Sequence, residues 1–263
     1  MQKKRNLHTH STWCDGRNTP EEMIQAAIER NFSTLGFSSH AMLPEEPYDW
    51  VLTREKLPRY VAEIRALAEK YKDQIQVLCG VEADYIPGGA TPDRSVYAPY
   101  GIDYIIGSVH WVRAADNALV PVDESPESLA EGIRDHYDGN AQAFIHDYYR
   151  QVREMLSWYD FDILGHVDLV TKFNEKHPYF DEMEGWYMDE VMQTTAVMLN
   201  AKKLVELNAG GIARGWRTEF YPSKGFYANL AAFRGVKYII SSDAHSVADL
   251  DVPYETIATH LQE

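Results

Sequence analysis

Short β-like runs alternate with helical segments along the chain, and nearly every run ends in a histidine or a carboxylate. Parallel strands joined by crossover helices gather the residues at their C-terminal ends around one mouth, so this coupling constrains the fold most strongly. The runs are Asn6 to Thr9, Thr34 to Ser38, Ile75 to Val81, Ile102 to Ile106, Phe161 to Leu164, Lys203 to Leu207 and Tyr238 to Ser242. Six of them carry or lead into His8 and His10, His40, Glu82, His110, His166, and Asp243 with His245. Between them, Thr19 with Pro20 and Glu22 has the signature of a capped helix start. Apolar residues recur with helical period at 57–71, 141–159 and 186–200, and Ser223 is placed to cap a helix reaching Phe233. The Pro-rich, aromatic stretch from Leu43 to Trp50 reads as a loop. The pattern predicts an α/β barrel of seven parallel strands, or an incomplete one of eight, filling residues 1–263 as a single domain. A doubly wound open sheet fits less well, because it concentrates its chemistry at one crevice.

Composition narrows the function. With 40 acidic residues against 25 Lys and Arg, the net charge of -15 repels polyanions and argues against nucleic-acid binding. A small phosphate ester is still admitted, because bound cations invert the local field. Cys14 and Cys79 form no CxxC pair, which suits a reducing compartment. No stretch approaches the length of an apolar membrane span, so a cytoplasmic protein without a membrane partner is expected.

The pair His8-Thr9-His10 alternates across an extended backbone, which points both imidazoles to one face, and Asp243-Ala244-His245 is expected to repeat that geometry. Taken singly, His40, His110 and His166 read as buried hydrogen-bonded histidines, and Asp15 before Gly16 as a turn residue. Taken jointly, that reading buries several carboxylates and imidazoles at one mouth without a charge partner, at several kcal/mol per group. Nine candidate ligands (His8, His10, Asp15, His40, Glu82, His110, His166, Asp243 and His245) exceed the needs of one ion. Two to three divalent ions are implied, with zinc, manganese and iron all compatible and Glu82 a natural bridge. Clustered cations lower the pKa of a shared water and hold hydroxide for in-line attack on phosphorus. Here Glu82 and Asp243 would hold that hydroxide, with His245 a candidate for moving the leaving-group proton. Arg214, Arg217 and Arg113 are candidate phosphate contacts, Arg214 preferred for its closeness to the sixth run. Trp50, Trp111 and Trp216 are candidates to shape the pocket. Asp84 and Asp168 are expected to orient metal-ligating imidazoles rather than meet a substrate amine.

These residues resemble the polymerase and histidinol phosphatase (PHP) superfamily. The matching segments are His8-Thr9-His10-Ser11, Asp15-Gly16, Ser38-Ser39-His40, Gly80-Val81-Glu82-Ala83-Asp84, Gly107-Ser108-Val109-His110, Gly165-His166-Val167-Asp168 and Ser241-Ser242-Asp243-Ala244-His245. Within the superfamily the chain looks most like the monofunctional histidinol-phosphate phosphatases. Asp15, the Ser-Val-His-Trp run at 108–111, and Leu207-Asn208-Ala209-Gly210-Gly211 before Tyr221-Pro222-Ser223 carry that likeness. The resemblance implies a distorted seven-stranded barrel with a trinuclear centre. It assigns His8, His10, Glu82 and Asp243 to one ion, Glu82, His110 and His166 to a second, and Asp15, His40 and His245 to a third. The implied reaction is hydrolysis of L-histidinol phosphate. Another small phosphate monoester, a phosphodiester or exonuclease substrate, and a silent metal-binding module are the alternatives.

Overall fold

The computed structural model describes residues 4–44 and 48–252, so part of the loop expected at 43–50 lies outside the described residues. Its first half runs β1 (Lys4–Asn6), α1 (Pro20–Glu29), β2 (Phe32–Ala41), α2 (Leu57–Tyr71), β3 (Gln76–Asp84), α3 (Arg94–Tyr97) and β4 (Tyr104–Ser108). A hairpin follows, β5 (Trp111–Arg113) and β6 (Leu119–Pro121), then α4 (Pro126–His136), α5 (Ala141–Trp158) and β7 (Ile163–Leu164). The chain continues through α6 (Gly185–Ala201), β8 (Leu204–Asn208), α7 (Gly210–Ala213), α8 (Lys224–Ala231) and β9 (Lys237–Ser241).

Seven strands form one parallel sheet in the order β1-β2-β3-β4-β7-β8-β9, as the alternation of runs requires. The sheet curls into a nearly closed barrel, and one bridge between Thr9 and Ala244 joins its edges. There His10 N–H donates to Ala244 O at 2.8 Å and Ala244 N–H donates to His8 O at 3.2 Å. Buried Asn6 stitches the same seam: its amide donates to Thr9 Oγ1 and Ser242 Oγ, each at 2.8 Å, while its Oδ1 accepts from Ser242 N–H at 3.0 Å. Closure therefore sets the two histidines of the first run beside the Asp-x-His of the last.

Alternation along each strand divides inside from outside. Val77, Cys79 and Val81 face the helices, while Leu7, Tyr104, Ile106 and Ile163, with Leu78, Leu204 and Ile239, fill the barrel interior. Tyr104 crosses that interior and donates to Leu7 O at 2.7 Å and Phe37 O at 2.9 Å. A Cβ on Gly36 would stand 2.4 Å from its hydroxyl and one on Gly80 2.4 Å from its ring, so both glycines make its room. Two residues further along, the inward positions become polar: Glu82 after Gly80, Ser108 after Ile106, Glu206 after Leu204, Ser241 after Ile239. These four strands thus pass from an apolar base to a polar tip.

The capped start of α1 is present, with Glu22 N–H donating to Thr19 Oγ1 at 3.3 Å and Thr19 N–H to Glu22 Oε2 at 2.8 Å. Strand β2 outlasts its expected end, so His40 lies within it rather than after it. Ser223 stands at the start of α8, but its hydroxyl makes no capping bond. The β5–β6 hairpin was not expected, since three-residue strands carry no readable period, and neither was the eleven-residue α4. No described helix is long and apolar enough to cross a membrane, and both cysteines are free thiols.

Candidate metal centre

Glu82 is the hub of the mouth. Its side chain is almost fully buried, and five imidazoles surround it. His8 Nε2 lies 3.0 Å, His40 Nδ1 3.2 Å and His10 Nε2 3.4 Å from its Oε2. His166 Nε2 lies 2.9 Å and His110 Nε2 3.4 Å from its Oε1, which also accepts from Ser108 Oγ at 2.7 Å. Burial would raise the Glu82 pKa, yet His8, His110 and His40 hold it well below the ordinary carboxylate range. Asp243 closes the first group, its Oδ1 3.4 Å from His10 Nε2 and 3.6 Å from His8 Nε2. Its φ of 51° is left-handed, so Asp243-Ala244-His245 reaches the site by a turn and not by the extended alternation expected of it.

The more open side of the mouth belongs to Asp15, about two-fifths exposed. Its Oδ2 is 3.1 Å from His245 Nε2, and its Oδ1 is 3.6 Å from His10 Nδ1 and 3.8 Å from His40 Nε2. Among the described residues, four sets of side chains bring ligand atoms close enough to hold an ion: His10, Asp15, His40 and His245; His8, His10 and Asp243; His8, Glu82 and His166; His40, Glu82 and His110. All nine expected ligands occur in these sets.

The arrangement passes a test that does not depend on counting. His8 Nε2, His10 Nε2, His40 Nδ1 and Glu82 Oε2 are buried polar atoms without a hydrogen-bond partner. Leaving such groups unmatched costs roughly 1–3 kcal/mol each. Each of the three nitrogens nonetheless lies 3.0–3.4 Å from Glu82 Oε2, close to the roughly 3.3 Å that separates two donors sharing an ion at metal–nitrogen distances of about 2.0–2.1 Å. His10 is pushed down to about 3, by burial first and then by His245 and His40, which keeps it neutral with one ring nitrogen's lone pair free. Donors so placed fit divalent cations.

Behind the ligands stand carboxylates that orient them. Asp84 Oδ1 meets His110 Nδ1 at 2.8 Å, as expected of it. The counterpart for His8 is Glu206, which sequence reasoning missed: its Oε1 meets His8 Nδ1 at 2.6 Å, and its Oε2 accepts from His166 N–H at 3.0 Å and Asn208 Nδ2 at 2.9 Å. The available signal was a lone acid in the middle of a buried strand. Asp168 departs from expectation. Its Oδ2 accepts from Ser223 N–H at 2.6 Å, its Oδ1 has no partner, and burial raises it to about 6.

A recess of about 620 Å³ opens over the centre, walled by Tyr48, Trp50, Trp111, Asp123, Lys172 and Arg214 among others. Tyr48 stacks on Trp50 at 5.4 Å and on Trp111 at 5.2 Å. Lys172, also missed, is fixed by Asp123 through its Oδ2 at 3.0 Å and its carbonyl at 2.8 Å. Arg214 donates from Nη2 to Asp243 Oδ2 at 2.8 Å and sets Nη1 2.8 Å from His245 Nδ1, while its Nε has no partner. A Cβ on Gly210 would lie 2.7 Å from both Arg214 Nη2 and Asp243 Oδ2, so only glycine admits that pair. The other two arginines are not at the recess. Arg217 is buried and pairs with Glu175 at 3.2 Å, Glu182 at 2.9 Å and Glu219 at 2.8 Å. Arg113 donates to the Pro87 and Asn117 carbonyls at 2.8 Å and 3.3 Å. Trp216 also lies elsewhere, edge-on to Phe173 at 4.8 Å.

The model of the PHP domain matches residues 6–210, from the seam strand through β8 to the start of α7. The chain belongs to the PHP-domain family. A Deinococcus radiodurans protein named "Probable histidinol-phosphatase" is 31% identical over 262 residues, covering 97% of this chain and 92% of that protein. The histidinol-phosphatase of Bacillus subtilis is 26% identical, over 96% of this chain and 97% of its own. Among solved structures, a Listeria monocytogenes protein superimposes with a TM-score of 0.83 at 24% identity, covering 96% of this chain and 99% of that one. That likeness speaks for the PHP barrel.

Proposed function

We propose that the chain hydrolyses L-histidinol phosphate to L-histidinol and inorganic phosphate, a step of histidine biosynthesis. One observation carries the reading: a single recess joins the cation-seeking cluster to Arg214 and to a wall of three aromatic rings with Asp123 and Glu124. The first part suits a phosphate, and the wall suits a flat imidazole with an ammonium group. The names of the Deinococcus and Bacillus relatives support the same substrate.

Two to three divalent ions would be held by His8, His10, Glu82 and Asp243, by Glu82, His110 and His166, and by Asp15, His40 and His245. Nitrogen and oxygen donors of this kind suit zinc, manganese or iron. When bound, such ions lower the pKa of water and neutralise phosphate oxygens. The chain's own part is positioning. Glu82 offers one oxygen to each of two imidazole groups and stays charged at the centre of five rings. Arg214 braces Asp243 and leaves about a quarter of its side chain exposed on the recess, where a phosphate oxygen can meet the guanidinium. Lys172, held by Asp123, adds a second cation to the wall. His245, between Asp15 and Arg214, is the residue we place nearest the departing alcohol, and it can move a proton only while it is not a ligand. Residues 1–263 would act as one phosphoesterase domain, in a cytoplasmic setting compatible with the two free thiols.

A panel of phosphate esters tests the reading through kcat/KM. Histidinol phosphate should exceed tyrosine phosphate and sugar phosphates, with single-stranded DNA uncut. A higher value for another monoester would transfer the assignment to that substrate, and preference for DNA would overturn it.

A further inference from the structure

A second recess, of about 320 Å³, lies at the far end of the barrel, where α6 ends and β8 and β9 begin. Lys202, Lys203, Arg234 and Lys237 line it, and among the described residues no carboxylate does. Lys203 is partly neutralised by Asp160 Oδ1 at 3.2 Å and lies 4.8 Å over the Phe161 ring. Among the described residues, Lys202, Arg234 and Lys237 have no acidic partner. Cations just past a helix offset its negative end, which accounts for Lys202 and Lys203 after α6 and for Arg234 after α8. It does not account for Lys237, which opens a strand, nor for the convergence of all four on one hollow. In a chain of net charge -15, such convergence reverses the field locally.

We propose that this recess binds a small organic phosphate. Ammonium and guanidinium groups match phosphate oxygens, while Met198, Val205 and Val236 supply an apolar wall for the carbon portion. The volume lies at the small end of ligand pockets. Val205 lines the recess, and the next residue, Glu206, holds His8 at the mouth, so the two sites share β8 without sharing space. This site does not rest on the substrate assigned to the mouth.

Calorimetric titration of the holoenzyme with phenylphosphonate, whose phosphorus–carbon bond resists hydrolysis, separates the two. The wild type should show a class of site that K202A/R234A/K237A weakens by about tenfold or more, with kcat and KM for phosphate esters unchanged. R234A alone should move the same class in the same direction, and R214A should leave it intact. An isotherm for the triple variant that superimposes on that of the wild type, or a wild type whose every site is lost in R214A, overturns the proposal.

Discussion

Arg214 and Arg217 stand three residues apart in one loop, yet they serve two differently built clusters. Around Arg217, Glu175, Glu182 and Glu219 surround one guanidinium, which also donates to Thr171 O at 2.9 Å, so its charge, though not the Nε hydrogen bond, is answered within the chain. Around Glu82 the chain supplies five imidazoles, the Asp15 and Asp243 carboxylates and Arg214 as a permanent cation on Asp243, and among the described residues His8 Nε2, His10 Nε2, His40 Nδ1, His166 Nδ1, Glu82 Oε2 and Arg214 Nε stay unmatched. A cluster of the first kind is a fold element, while one of the second kind is complete only with cations from outside.

The largest effect that can break this contrast is expected at Glu82. E82Q keeps the shape of the side chain and removes its charge, so metal content and turnover should fall together, turnover on the order of a thousandfold or more. Elemental analysis beside phosphate release checks it, and full metal content with full turnover would remove the hub. The two arginines come next. R217A strands three carboxylates and should cost about 3–5 kcal/mol in urea unfolding, with metal content and KM preserved in the folded fraction. R214A should instead leave most stability and metal in place and raise KM by roughly 10–100-fold. Reversed outcomes would exchange the roles of the two clusters.

Asp168 sharpens the comparison, because it lies beside the Arg217 cluster with one oxygen unmatched. Burial lifts its pKa from an unfolded value near 3.9 to about 6. A raised acid contributes stability that is fully present below the unfolded pKa and is lost as pH rises through the folded one. D168N cannot ionise, so relative to its difference from the wild type at pH 4 it should gain roughly 3 kcal/mol by the time pH has risen through about 6. Unfolding midpoints of both proteins at pH 4.5 and 7.5 check the sign, and a constant difference would contradict it. The smallest effect is expected at Glu206, which reaches the centre indirectly, through His8, the His166 backbone and, by way of Asn208 Nδ2, Asp243. E206Q should weaken metal binding by about 10–100-fold while the barrel keeps its stability.

What the chain discloses before folding follows from how each feature is encoded. The reactive strand tips were legible because period-two alternation and strand ends are local properties, and His8, His40, Glu82, His110, His166 and Asp243 all occupy them. Glu206 was not, since its role comes from strand order, which sets β8 across from the first histidines. The three arginines were indistinguishable for the same reason. Only the fold brings Glu175, Glu182 and Glu219 to Arg217, backbone carbonyls to Arg113, and Asp243 to Arg214. The left-handed turn at Asp243 escaped because aspartate adopts that conformation without marking it in the sequence.

Anomalous diffraction from crystals of the protein purified without added metal, with data at the zinc, iron and manganese edges, tests the central claim most directly. The account predicts a transition-metal peak bounded by His8 Nε2, His10 Nε2, Glu82 Oε2 and Asp243 Oδ1, and a second on the Oε1 side of Glu82. An active crystal with no anomalous density among these atoms would contradict it.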